Sequence, residues 1–210
     1  LVGPHAEQVA KCDELAKRIA RNEVTWLPPQ PSPSLSAAAA LEQLPLDRPV
    51  LLTTADHALL QPGWVDDFCA RALAGGSDAA IGLAPHAAVG AAFPGSRRTA
   101  LRFRDGAYCG CNLFAFMSAA GRRAPAFWRQ LEQQRKQPHR LAAALGTGTL
   151  VAYLLGRLTL AGALSRLSGR VGARLDAVVL DEPAAAVDVD SVADYELVQR
   201  IVSGDTVVRC

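Results

Sequence analysis

The segment Pro49-Val50-Leu51-Leu52-Thr53-Thr54 limits what this chain can fold into more than any other. A continuous apolar run of this length reads as a strand buried on both faces, the kind found inside parallel sheets. It runs straight into Ala55-Asp56-His57, which puts a carboxylate at the carboxyl end of that strand. In open α/β sheets that edge is where ligands bind. Asp56 is therefore the first candidate site residue, although a lone Asp there serves equally well as a cap for the loop or helix that follows.

The pattern around this strand alternates strands with helices. An amphipathic helix is expected from about Glu7 to Arg21, with Val9, Leu15 and Ile19 on its apolar side. Leu1-Val2-Gly3-Pro4 reads as a strand end, and Val24 to Leu27 as a short strand stopped by Pro28-Pro29. Ala37 to Leu44 should be helical, as should the stretch from Pro62 to the stop signal Gly75-Gly76. Ala79 to Gly82 and Ala177 to Leu180 read as further strands, with helices through much of Pro125 to Ser168. Thr99 to Arg104 alternates, Leu101 and Phe103 facing one way and Arg102 and Arg104 the other, and Asp105-Gly106 then signals a tight hairpin. Ser191-Val192-Ala193-Asp194 has the form of a capping box opening a last helix, with Leu197 and Ile201 inward. The expected fold is a mainly parallel α/β sheet with one hairpin insertion, and a single domain over residues 1–210.

Composition narrows the function classes. With 22 basic and 20 acidic side chains the net charge is +2, which gives no support for a nucleic-acid or membrane-surface partner. The uncharged run Leu141 to Gly156 is short for a membrane span and carries Gly146, Thr147, Gly148 and Thr149, so a buried helix pair is expected. The 5 cysteines form no C-x-x-C pair. Cys109 and Cys111 share a strand face and read as small buried residues. Free thiols without a secretory leader point to a reducing compartment, the cytoplasm.

A second acidic cluster, Asp188-Val189-Asp190, also follows an apolar extended stretch and precedes a helix. Alternation puts both carboxylates on one face, where they suit a magnesium ion, which takes one or two protein carboxylates together with phosphate oxygens. Asp190 also serves the helix start, where negative charge is favoured.

Several segments then share one resemblance. Thr53-Thr54-Ala55-Asp56-His57-Ala58-Leu59 is similar to the "T-x-A-D-x-P-L" segment of MobA-like nucleotidyltransferases, with Ala58 in place of the usual Pro. Asp188-Val189-Asp190-Ser191-Val192-Ala193-Asp194 resembles their late "D-V-D-T-P-E-D" segment. Ser32, Ser34 and Ser36 stand where that family has a Ser/Gly-rich loop near the nucleotide, and Gly110-Cys111-Asn112-Leu113-Phe114 resembles its "G-x-N-L-F" stretch on the acceptor side. The likeness runs from about Val24 to Ile201, in the family's order.

The resemblance implies a Rossmann-like, three-layer nucleotidyltransferase fold of the kind shared with GT-A glycosyltransferases. It implies Mg²⁺ on Asp56, Asp188 and Asp190, with Asp56 and Asp188 catalytic, an NTP near Ser32, Ser34 and Ser36, and a small phosphorylated acceptor. Molybdopterin, a cobinamide phosphate, a sugar phosphate and an alcohol phosphate are all acceptors in this family. Arg102 and Arg104 would hold the acceptor's phosphate beside Asn112, since guanidinium forks match phosphate oxygens; a solvated strand face paired with acids is the competing reading. His57 is expected to be structural, because an ionised phosphate acceptor needs no strong base. One departure stands out: nothing in residues 1–30 matches the family's Gly-rich phosphate loop. The non-Met start favours a piece of a longer protein, and the chain as written is expected to be inactive or nearly so. A glycosyltransferase using a nucleotide sugar and a non-catalytic binding module are the alternatives.

Overall fold

The computed structural model describes residues 1–94, 98–134 and 146–204. Its centre is one five-stranded sheet built from β1 (Val50–Thr53), β2 (Ala79–Pro85), β3 (Leu101–Phe103), β4 (Gly106–Phe116) and β5 (Leu175–Val179). The strand order is β1-β4-β2-β5, with β3 added to β4. β2 and β5 pair in parallel, whereas β4 is antiparallel to β1, β2 and β3. The expectation of a mainly parallel sheet is thus corrected to a mixed one. The reason is the hairpin, whose long returning strand lies between β1 and β2 in the middle of the sheet instead of decorating an edge.

Because β1 and β2 both oppose β4, and β5 follows β2, the carboxyl ends of β1, β2 and β5 point to one edge. The amino end of β4 overhangs that edge, since Cys109 and Tyr108 pair with Ala84 and Pro85 at the end of β2. The hairpin turn itself falls one residue earlier than its sequence signal: Gly106 already pairs with Phe103, so Arg104 and Asp105 make the turn. Arg104 therefore leaves the strand face it was expected to share with Arg102. Asp105 accepts from the backbone N–H of Leu160 at 3.0 Å and steadies the helix that starts there.

Apolar residues pack on both faces of the sheet. On one face Ala80, Ala84, Cys111, Leu113, Ala115 and Val178 meet Phe68 and Val198 from the helices above. On the other, Ala79 and Phe116 meet Leu41, with Phe114 and Ala124 partly buried beside them. The alternation of β4 side chains between these clusters is what a strand with helices on both sides requires. Among the described residues the helices are α1 (Ala6–Val9), α2 (Asp13–Ala20), α3 (Pro33–Glu42), α4 (Pro62–Ala74), α5 (His86–Ala92), α6 (Ala124–Gln134), α7 (Thr147–Leu154), α8 (Leu160–Val171) and α9 (Val192–Val202).

Other expectations need adjusting. The helix read over Glu7 to Arg21 is two, because Cys12 is extended (φ −110°, ψ 91°) and α2 restarts at Asp13 and Glu14, which suit a helix start. Val24 to Leu27 contributes only a parallel bridge, Leu27 to Val2. β1 is not buried on both faces. It lies at the end of the strand order, its residues alternate between half-buried and exposed, and Leu51 is 38% exposed. α7 has no buried residue, with Leu154 73% exposed, so the apolar run is not a buried helix pair there; Leu141 to Leu145 lie outside the described residues. Cys109 and Cys111 are buried and free, and burial pushes the Cys111 thiol up to about 12. Among the described residues no helix is long and apolar enough to cross a membrane.

Candidate active site

Asp56 stands three residues past the end of β1, at the sheet edge where the sequence pattern placed it. Its carboxylate accepts the Thr54 hydroxyl, and its carbonyl accepts the N–H of Val189 at 3.0 Å. That backbone bond draws the late acidic segment against the β1 end. Asp56, Asp188 and Asp190 each then offer a carboxylate oxygen, all within 4.8 Å of one another. The strand-like alternation expected of Asp188-Val189-Asp190 gives the right grouping although the segment joins no strand among the described residues.

These three groups fit a hard divalent cation. Their donors are all carboxylate oxygens, the ligand type that magnesium prefers. Among the described residues no protein donor meets the Asp190 carboxylate, so an acidic group is left beside two others without an internal hydrogen bond. Mutual repulsion at this range is unfavourable unless a cation is shared.

One internal cation does reach the cluster. Arg98, only 8% exposed in its side chain, donates from Nη1 to the Asp188 carboxylate and to the Asp188 carbonyl at 2.9 Å, and from Nη2 to Asp194 Oδ1 at 2.8 Å. Sequence reading gave Arg98 no role. Its partners lie some ninety residues ahead, so nothing local marks it. Thr54 was missed too, although its two-residue spacing from Asp56 suits a hydroxyl-to-carboxylate bond. Ser191 caps α9 as expected: its oxygen accepts the Asp194 N–H at 3.3 Å and its hydroxyl donates to Asp194 Oδ2 at 2.6 Å. That hydroxyl, with help from Arg98, holds the Asp194 carboxyl below the usual carboxylate range.

His57 is buried, and among the described residues neither ring nitrogen makes a well-formed hydrogen bond, although the Ala185 backbone lies close to the ring. Burial lowers its pKa, against the opposing pull of Asp56 and Asp188, so the ring stays neutral. This agrees with a packing role.

The remaining candidates sit around this centre in different ways. Asn112 lies one residue beyond the Thr53–Leu113 pair, beside the carboxyl end of β1. Its φ of 49° is left-handed, which Asn tolerates better than most residues, and it coincides with a register shift between β4 and β2. Arg102 is exposed on β3 opposite Ala107, and Arg104 is exposed in the turn. Ser32, Ser34 and Ser36 open α3. Ser32 Oγ accepts the Leu35 N–H at 3.3 Å and lies 3.0 Å from Ser34 Oγ, while Ser36 Oγ accepts the Gln30 N–H at 2.9 Å. These hydroxyls order the loop before they could meet any ligand.

Against known proteins, the chain is similar to a solved structure described as a hypothetical transferase from Thermus thermophilus. The two are 31% identical with a TM-score of 0.71, over 81% of this chain and 72% of that one. The chain belongs to that transferase's family. Its mixed α/β architecture is accordingly a transferase fold. No protein-family model matches the chain, and no curated protein does.

Proposed function

We propose that this member of the transferase family is a MobA-like nucleotidyltransferase. It moves a nucleotidyl group from an NTP to a phosphorylated small molecule and releases pyrophosphate. The observation that carries the reading is the convergence of Asp56 with Asp188 and Asp190 at the carboxyl edge of the sheet, from segments more than a hundred residues apart. Magnesium held by these three would neutralise charge on the α-phosphate during transfer.

The chain's own residues bind and orient. Asp56 is fixed through Thr54 and through the Val189 N–H, so its carboxylate is set before ligands arrive. The acceptor's phosphate oxygen attacks the α-phosphorus in line. The new P–O bond forms as the bond to the β-phosphate breaks, and the electron pair leaves with pyrophosphate. The acceptor oxygen is already ionised, so no side chain must take a proton, which suits a neutral, buried His57. Arg102, Arg104 and Asn112 border the acceptor side, and the ordered turn of Ser32, Ser34 and Ser36 meets the nucleotide.

The test is pyrophosphate release from each of the four NTPs with Mg²⁺ and a panel of phosphate acceptors. It uses the protein translated from its complete reading frame. Release that requires both acceptor and Asp56 is the expected result. Release of a nucleoside phosphate from nucleotide sugars, without pyrophosphate from NTPs, would make the protein a glycosyltransferase instead. No turnover and no NTP binding by calorimetry would make it a binding module.

A further inference from the structure

Residues 188–194 combine two unfavourable features. Four carboxylates, Asp56, Asp188, Asp190 and Asp194, crowd one corner of the sheet edge, and three of them lie on a short segment with few ladder hydrogen bonds. Left alone, such a segment would swing its acids apart into water. Two anchors oppose this. The Val189 N–H is tied to the Asp56 carbonyl at 3.0 Å, and the Arg98 guanidinium grips both ends, Asp188 on one side and Asp194 in the first turn of α9 on the other. Asp190 lies within that span.

We propose that Arg98 is a positioning residue, whose guanidinium holds the Asp188–Asp194 segment so that the carboxylates of Asp56, Asp188 and Asp190 are arranged for a divalent cation. This rests on the metal-binding reading above. A carboxylate has two oxygens and about four lone-pair directions, so Asp188 can bond Arg98 and still serve a metal. Groups that orient metal ligands in this way typically contribute about 10–100-fold to metal affinity. The planar fork matters, because one group must reach two carboxylates and a carbonyl in fixed directions; the single ammonium of Lys satisfies them only in part.

Mn²⁺ serves as the probe, with binding and the shape of its signal followed by electron paramagnetic resonance and Mg²⁺ affinity by calorimetry, all on the whole chain. Asp56→Ala should abolish binding. Arg98→Met should weaken it by about 10–100-fold and broaden the bound Mn²⁺ signal, with Arg98→Lys restoring part of the affinity. Asp194→Asn, which removes one grip while leaving all three proposed ligands, should weaken it by several fold. Should Arg98→Met fail to fold by circular dichroism, Arg98→Lys and Asp194→Asn decide the matter. Wild-type or tighter binding in the folded variants, with Asp56→Ala still inactive in binding, overturns the role of Arg98 and leaves the metal site standing. Equal Mn²⁺ binding by Asp56→Ala and wild type overturns the metal site and the positioning role with it.

Discussion

Aspartates at opposite edges of the sheet are treated in opposite ways. Asp78 precedes β2 at its amino end. Its carboxylate accepts the Ser118 hydroxyl at 2.6 Å and the Arg174 N–H at 2.7 Å, while its backbone pairs with Arg174 and Met117. A Cβ on Gly121 would come within 1.9 Å of the Asp78 carbonyl oxygen, so the turn beneath β4 closes tightly on this residue. At the carboxyl edge Asp56, Asp188 and Asp190 are pushed together instead, Asp190 with no protein donor among the described residues. A carboxylate that fastens loops is saturated by the protein's own N–H and O–H groups. The three carboxylates that we propose hold a ligand share fewer internal donors, and the cost of grouping them falls on the surrounding fold.

The contrast is broken most severely at Asp56. If its edge is the working one, Asp56→Ala should lower acceptor-dependent pyrophosphate release by on the order of 10³-fold or more, the several kcal/mol expected of lost metal-assisted charge stabilisation. Melting should be unchanged or slightly higher, since one repelling charge is gone. A large fall in melting temperature with activity retained per folded molecule would assign Asp56 to the fastening class. Asp78→Ala should behave the other way round. Losing two hydrogen bonds to a charged acceptor should cost about 2–3 kcal/mol and lower the melting midpoint by about 4–10 °C. Activity per folded molecule should persist, as a thermal melt and an assay on the same sample would show.

The acid limb of stability sharpens the comparison further. The Ser118 hydroxyl and then the Arg174 N–H hold the Asp78 carboxyl below its usual range. A carboxyl depressed in the folded state adds stability that is complete above the unfolded value, about 3.9, and is lost as pH falls through the folded value. The melting difference between wild type and Asp78→Ala should therefore be constant from pH 7 to about 5 and shrink below about pH 4. A difference that stays constant to pH 2 would mean that Asp78 fastens its loops through shape and not through charge.

How much of this was legible in the residues follows the same division. The β1 strand (though not its burial), the α4 stop at Gly75, the Ser191 cap and the Asp56 position are all local patterns, and all were readable. The central place of β4 was not, because periodicity identifies a strand without naming its neighbours. That one fact turned a mainly parallel sheet into a mixed one. Arg98 was hidden for the same reason: its meaning lies in partners far along the chain. The grouping of Asp188 with Asp190 was readable by alternation, whereas their approach to Asp56 depends on a backbone bond from Val189 that no side-chain pattern announces.

The smallest effect concerns Arg102, where sequence alone left two readings, an acceptor contact or a solvated strand face paired with acids. Among the described residues its exposed guanidinium has no ion-pair partner, which fits a solvated strand face as well as an acceptor contact. It projects from β3, on the hairpin whose returning strand overhangs the edge holding Asp56. An exposed guanidinium–phosphate contact is screened by water and is worth about 1 kcal/mol. Arg102→Ala should then raise the acceptor KM by about three- to tenfold with kcat and melting unchanged, the pattern of lost uniform binding. Arg102→Lys should recover only part, because the ammonium keeps the charge and loses the fork. An unchanged KM in Arg102→Ala would move the acceptor's phosphate away from the hairpin and toward the Asn112 side of the β1 end.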